Sequence, residues 1–130
     1  MTRQYHVDIA RFAAKADAKW VDNLLSHFDV PGVERARQGL SRRISPDGIY
    51  HIALVRRLNR ELGISTAAAV SLAARLLSTE AGRVSLAVGL ELEFDVVRFR
   101  RDIDASIAEG VESLAPARRG RPPRDPSDGR

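Results

Sequence analysis

Cysteine is absent from this 130-residue chain, lysine nearly so, and aromatic residues make up only 5% of it. Without Cys there is no disulfide scaffold, no thiolate zinc site and no cysteine nucleophile. No apolar run approaches the ~18 residues that span a bilayer. Residues 1–6 lack the apolar core of a signal peptide, so the expected location is the cytoplasm. Chemistry-bearing patterns are scarce too. His6, His27 and His51 fall in no metal-ligand spacing, and no G-x-S-x-G, Walker loop or dinucleotide fingerprint occurs. The pairs Glu91/Glu93 and Asp102/Asp104 are formal acid–base candidates. On a strand, however, Glu91 and Glu93 lie opposite Leu90, Leu92 and Phe94, which makes them a solvated face. No enzyme, cofactor or metal site is expected.

What is present is enough apolar material for one compact domain: 44% of the residues are hydrophobic. The charge is unevenly spread. Residues 1–75 hold 12 Lys/Arg against 7 Asp/Glu, or +5; residues 76–115 hold 4 against 8, or −4; residues 116–130 hold 5 against 2, or +3. Between 35 and 60 there are seven Arg (35, 37, 42, 43, 56, 57, 60) against the single Asp47. Clustered positive charge condenses on an anionic polymer and releases its counterions, whereas mixed charge mainly solubilises.

Periodicity sets out the elements. Ile9, Phe12 and Ala13 mark a first helix from Val7 to Ala14. Asp17 is placed to cap a second, Ala18 to about His27, with Val21, Leu24, Leu25 and Phe28 at helical spacing. Pro31-Gly32 breaks the chain. Residues 40–44 and 49–52 are β-capable and flank Ser45-Pro46-Asp47-Gly48, a turn signal that predicts a two-stranded wing. Ile52, Val55, Leu58 and Leu62 then mark a third helix ended by Gly63, and Ser65 or Thr66 opens an Ala-rich fourth over 67–78. After Gly82 the period becomes two, through Val84, Leu86 and Val88 and then Leu90, Leu92 and Phe94, which predicts a hairpin. Asp95 caps a last helix carrying Val96, Phe99, Ile103, Ile107, Val111 and Leu114 as a narrow stripe, suited to packing on the domain or to a two-helix seam. From Pro116 onward there is no bulky apolar residue, and 116–130 is expected to be a disordered basic tail.

That tail contains Arg118-Arg119-Gly120-Arg121-Pro122. Its Arg-Gly-Arg-Pro core resembles the AT-hook, in which the two Arg flanking Gly, here Arg119 and Arg121, reach along the minor groove of AT-rich DNA. The other reading is a solubilising tail. The body over residues 7–77 resembles the MerR-like winged helix-turn-helix family. Residues 9–21 are similar to its first two helices, Gly39-Leu40 with Arg42-Arg43 and Asp47-Gly48-Ile49-Tyr50 to its wing, and Leu58, Leu62-Gly63-Ile64-Ser65 to its third and fourth helices. Asp22 and Asn23 stand where that family carries an Arg and an aromatic, and the 84–94 hairpin is an addition.

The resemblance and the periodicity together lead to the expectation of a mainly α winged helix-turn-helix with a small β-wing, a second short hairpin and a long C-terminal helix. Residues 1–80 would bind DNA, 81–115 would oligomerise or cover the core, and the tail would follow. The resemblance implies a homodimer on double-stranded DNA. Lys15, Lys19, Trp20 and Asn23 would face the major groove, although Trp20 equally suits the core. Arg42, Arg43 and Tyr50 would hold the wing on phosphates. Arg56 and Arg57 would add to this or form a solvated face. The expected function is therefore a small bacterial DNA-binding transcriptional regulator. The alternative is an antitoxin-like protein-interaction module, in which the acidic 81–115 segment covers a basic, toxin-like partner.

Overall fold

The computed structural model describes residues 3–34 and 42–119. The chain is mainly helical, with two small antiparallel hairpins. Helices α1 (Val7–Ala14) and α2 (Ala18–His27) come first. Strands β1 (Val33–Glu34) and β2 (Arg43–Ile44) precede α3 (Pro46–Leu62) and α4 (Thr66–Ser78). A hairpin of β3 (Arg83–Ala87) and β4 (Leu90–Glu93) leads into α5 (Val96–Arg119).

Most helix starts follow from a local cap. Asp17 Oδ1 accepts the Trp20 N–H at 2.8 Å, Ser65 Oγ accepts from Ala68 N at 3.3 Å, and Asp95 Oδ1 accepts from Arg98 N at 3.0 Å. Each satisfies an amide that the first turn leaves without a partner. Gly63 ends α3 in the left-handed conformation, as its position in the sequence suggests.

The wing is where expectation and structure part. Ser45-Pro46-Asp47-Gly48 is a helix start and not a hairpin turn, so the expected second strand over 49–52 is the first part of α3. The same residues satisfy both motifs. Ser45 Oγ accepts the Gly48 N–H at 3.2 Å, Pro46 stands where a helix needs no N–H, and Asp47 offsets the positive end of the helix. A nonlocal contact decides the matter. The Gly32 carbonyl accepts hydrogen bonds from Ser45 N at 2.9 Å and Ser45 Oγ at 3.2 Å. A Cβ on Gly48 would lie 2.7 Å from the Gly32 oxygen and 2.9 Å from Ile44 Cγ2. β2 therefore pairs backwards in sequence with β1, Val33 opposite Ile44, and Tyr5 extends the pairing through Tyr5 N–Ile44 O at 2.7 Å. Of the expected strand over 40–44, Arg43 and Ile44 form β2, and residues 39–41 lie outside the described residues.

α3 is the central element. Ile49, Ile52, Ala53, Leu54, Val55 and Leu58 are all buried, and α1, α4, α5 and β2 pack around them. The stripe on α5 is used within the chain: Phe99, Ile103 and Ile107 are buried in the same core as Ile9 and Ala13 of α1. Of the two uses open to that stripe, it covers the chain's own core. α5 also continues past Pro116 to Arg119, into the stretch expected to be tail. A proline removes one backbone bond, here to the Glu112 carbonyl, and Ala and Arg around it favour helix.

A glycine inside an exposed helix is usually improved by Ala, by about 1 kcal/mol. At Gly48 the sign reverses, because the added methyl meets the Gly32 backbone. Gly48→Ala is expected to lose about 1–3 kcal/mol, read as a lower urea midpoint at unchanged slope. A gain in stability would show that this approach is looser than described.

Candidate nucleic-acid interface

Two short helices joined by residues 15–17 form one end of the molecule. Lys15 closes α1 in the left-handed conformation (φ 56°), and its N–H bonds back to the α1 carbonyls. α2 buries Val21, Leu24 and Leu25 and leaves Lys19, Asp22, Asn23, Ser26 and His27 exposed. Lys19 and Asn23 thus stand on the outward face, where the helical period puts them. Trp20 occupies the flank of α2. Its half-buried ring packs against the core and carries the Arg56 guanidinium at 5.1 Å from the ring centroid. It serves as a shelf for a cation while completing the core.

Arg56 belongs to a basic cluster on α3. Together with Lys15, Arg57 and Arg60 it lines a groove of about 560 Å³ between α1, α3 and α5, closed on the α5 side by Asp102 and Ile103. Within it Arg57 is neutralised: Nε and Nη2 reach the two Glu61 carboxylate oxygens at 3.0 and 3.3 Å. The hydrogen bond and then the charge of Arg57 hold the Glu61 carboxyl below its ordinary pKa. Lys15, Lys19, Arg56 and Arg60 form no ion-pair contact among the described residues, although the Arg60 charge adds to the lowering of the Glu61 pKa. The buried Nε of Arg56 has no hydrogen-bond partner either. Arg60, one helical turn after Arg56, was legible from its spacing as a neighbour on the same face but is not among the expected contacts.

The wing residues separate. Arg42 lies on the other flank of α2, with Nη1 3.2 Å from Asp22 Oδ1 and Nη2 3.4 Å from Ser26 Oγ. Arg43 is exposed on β2, opposite Glu34. Tyr50 is not on a wing, because its segment is helical. From α3 it donates its hydroxyl proton to Asp104 Oδ1 of α5 at 2.6 Å, with the Arg100 guanidinium 5.5 Å from its ring centroid. It is a clamp between two helices and has no free hydroxyl for a phosphate. Arg119 sits on the last residue of α5, and Arg121 lies outside the described residues.

Half of the carboxylates of the acidic segment, residues 76–115, are engaged within the chain. Arg83 reaches Glu93 at 3.1 Å and Glu91 at 3.9 Å, Asp95 caps α5, and Asp104 accepts the hydrogen bond of the Tyr50 hydroxyl. Among the described residues no three His, Asp or Glu gather to hold a metal ion, and no helix is long and apolar enough to cross a membrane.

Tyr50 generates a pH prediction. Burial first, then the hydrogen bond to Asp104 and that carboxylate's charge, push its pKa from 10.0 up to about 12. A folded value above the unfolded one means that the contribution is complete below pH 10.0 and is lost as pH rises towards about 12. Urea midpoints should fall across that window, and Tyr50→Phe should remove this part of the fall. An unchanged alkaline profile in the variant would contradict the clamp. In comparison with known proteins, the chain matches no family model, no curated protein and no solved structure.

Proposed function

We propose that the protein is a small transcriptional regulator that binds double-stranded DNA, with α2 as the helix presented to the major groove. The observation that carries this reading is the gathering of Lys15, Arg56 and Arg60, none in an ion pair among the described residues, in one groove beside α1, with Lys19 likewise unpaired on the exposed face of α2. Exposed cations elsewhere, such as Arg43, Arg98 and Arg101, also stand without an ion pair among the described residues; what sets this group apart is that three of its members share one groove. DNA phosphates supply the missing partners and release counterions in exchange.

In this reading Lys15, Arg56 and Arg60 set the position of the protein on the backbone. Lys19 and Asn23 face base edges, where Lys pairs with guanine and Asn with adenine. The helix-turn-helix part of the MerR-like resemblance is kept, and its wing is moved to β1–β2, which Arg42 ties to the flank of α2. Arg43 on that hairpin reaches an adjacent phosphate. Arg119 and Arg121 add affinity in the minor groove by being tethered to the body. A regulator of this kind acts in the cytoplasm, as a homodimer on an inverted repeat.

The test begins with selection of sheared genomic DNA by the full chain and sequencing of the bound fragments. Anisotropy titrations on the enriched site follow, at low and moderate salt. Affinity should fall steeply with salt, and Lys15→Ala, Arg56→Ala or Arg60→Ala should each flatten the log–log slope by about 0.9 per protomer, or about 1.8 for the homodimer. Asn23→Ala should cost about 1–3 kcal/mol on the selected site and much less on random duplex. Affinity indifferent to salt would remove the proposal.

A further inference from the structure

The β3–β4 hairpin has one polar side and one apolar side. On the polar side Arg83 bridges Glu91 and Glu93, so the charges there cancel. At the base of the apolar side the Val84–Leu92 pair packs on the body, with Val84 buried. The arm is held in place, since Arg75 of α4 donates to the Ser85 carbonyl at 2.8 Å. Its distal half covers nothing. Leu86 is 41% exposed, Leu90 55% and Val88, at the tip beside Gly89, 105%. Residues 86–90 read Leu-Ala-Val-Gly-Leu and carry no charge.

Beside the base of this arm lies a groove of about 450 Å³ between α3, β4 and the start of α5. Leu58, Leu62, Leu92, Phe94 and Phe99 supply its apolar lining, and Leu62 is 55% exposed. The charges at its rim are of both signs: Arg57 is closed on Glu61, and Arg98 stands near Asp102. An uncharged apolar knob therefore stands roughly four residues, ~13 Å, beyond an apolar hole on the same chain.

We propose that this hairpin tip and the Leu62 groove are the self-association surface of the protein. In a two-fold dimer each tip, led by Val88, seats in the groove of the other copy. Knob and hole on one molecule make the contact self-complementary, which is the condition for an isologous pair. The area agrees. Leu62, Leu86, Val88 and Leu90 leave on the order of 400 Å² of apolar surface open, a size at which such surface is often functional. Two copies hide about 800 Å², the apolar share of about 65% in an interface of about 1,200 Å², where stable dimers begin. The inference stands apart from DNA binding and is tested without DNA.

Sedimentation equilibrium of the full chain, from low micromolar to a few hundred micromolar, should show a monomer–dimer equilibrium. Val88→Lys places a charge where no intrachain contact exists. It should weaken the dimer by at least about tenfold while helical circular dichroism and the urea midpoint stay unchanged. The chain contains no Cys, so single thiols report position cleanly. Mixing Val88→Cys with Leu62→Cys chains under mild oxidation should give the crossed disulfide well above either like-with-like product. A monomer at every concentration would overturn the proposal, as would a dimer indifferent to Val88→Lys. Like-with-like cross-linking in excess would overturn the tip-in-groove arrangement.

Discussion

The approach of two backbones at Gly32 and Gly48 governs the rest of the molecule. The Gly32 carbonyl receives both the N–H and the hydroxyl of Ser45, and that hydroxyl accepts from Gly48 N. The end of the β1–β2 hairpin and the first turn of α3 are thereby fastened to each other, with the Ser45 hydroxyl as the only side-chain group in these bonds. Ile44, at the junction, is completely buried. Because α3 is the helix against which α1, α4 and α5 all pack, fixing its first turn fixes the frame to which the basic face and the hairpin arm are referred. Two glycines achieve this by having nothing to put in the way.

The distribution of ion pairs separates surface chemistry from surface solubility. In three pairs the geometry of the elements closes a cation on a carboxylate. Arg57 with Glu61 follows helical spacing, Arg83 with Glu93 follows cross-strand register, and Arg42 with Asp22 joins a hairpin to a helix. Exposed pairs of this sort contribute little to stability, so their effect is more on the field around the molecule. They cancel charge locally, while Lys15, Arg56 and Arg60 leave a positive groove beside α1. Trp20 adds to this by holding the Arg56 guanidinium over its ring, which restricts a long side chain before any partner arrives.

Local signals were readable in the sequence, and nonlocal decisions were not. Asp17, Ser65, Asp95 and Gly63 act within four residues of their own position, so the helices they bound were legible. The second hairpin was legible too, since a period of two separated by Gly89 has few other meanings. Ser45-Pro46-Asp47-Gly48 has two local meanings, and a residue thirteen positions earlier chooses between them. The error then spread to the site. Tyr50, assigned to a strand, was read as a phosphate contact, while its helix carries it towards Asp104, fifty-four residues away. Lys19 and Asn23 were placed well because the α2 period is clean. The gathering of Lys15 with Arg56 and Arg60 had no sequence signature, for it depends on how α1 lies across α3.

The packing of α5 on α1 has a consequence for how the chain is made. These two helices are the first and last of the fold, and Ile9 and Ala13 share their core with Phe99, Ile103 and Ile107. During synthesis α1 meets α3 first, and the part of its apolar face that α5 covers stays open until some ninety further residues have left the ribosome. Contacts of such sequence separation are closed late and slowly. Before closure the exposed stripe is a surface for chaperones or for misassembly. The helix made last thus acts as the lid on the helix made first.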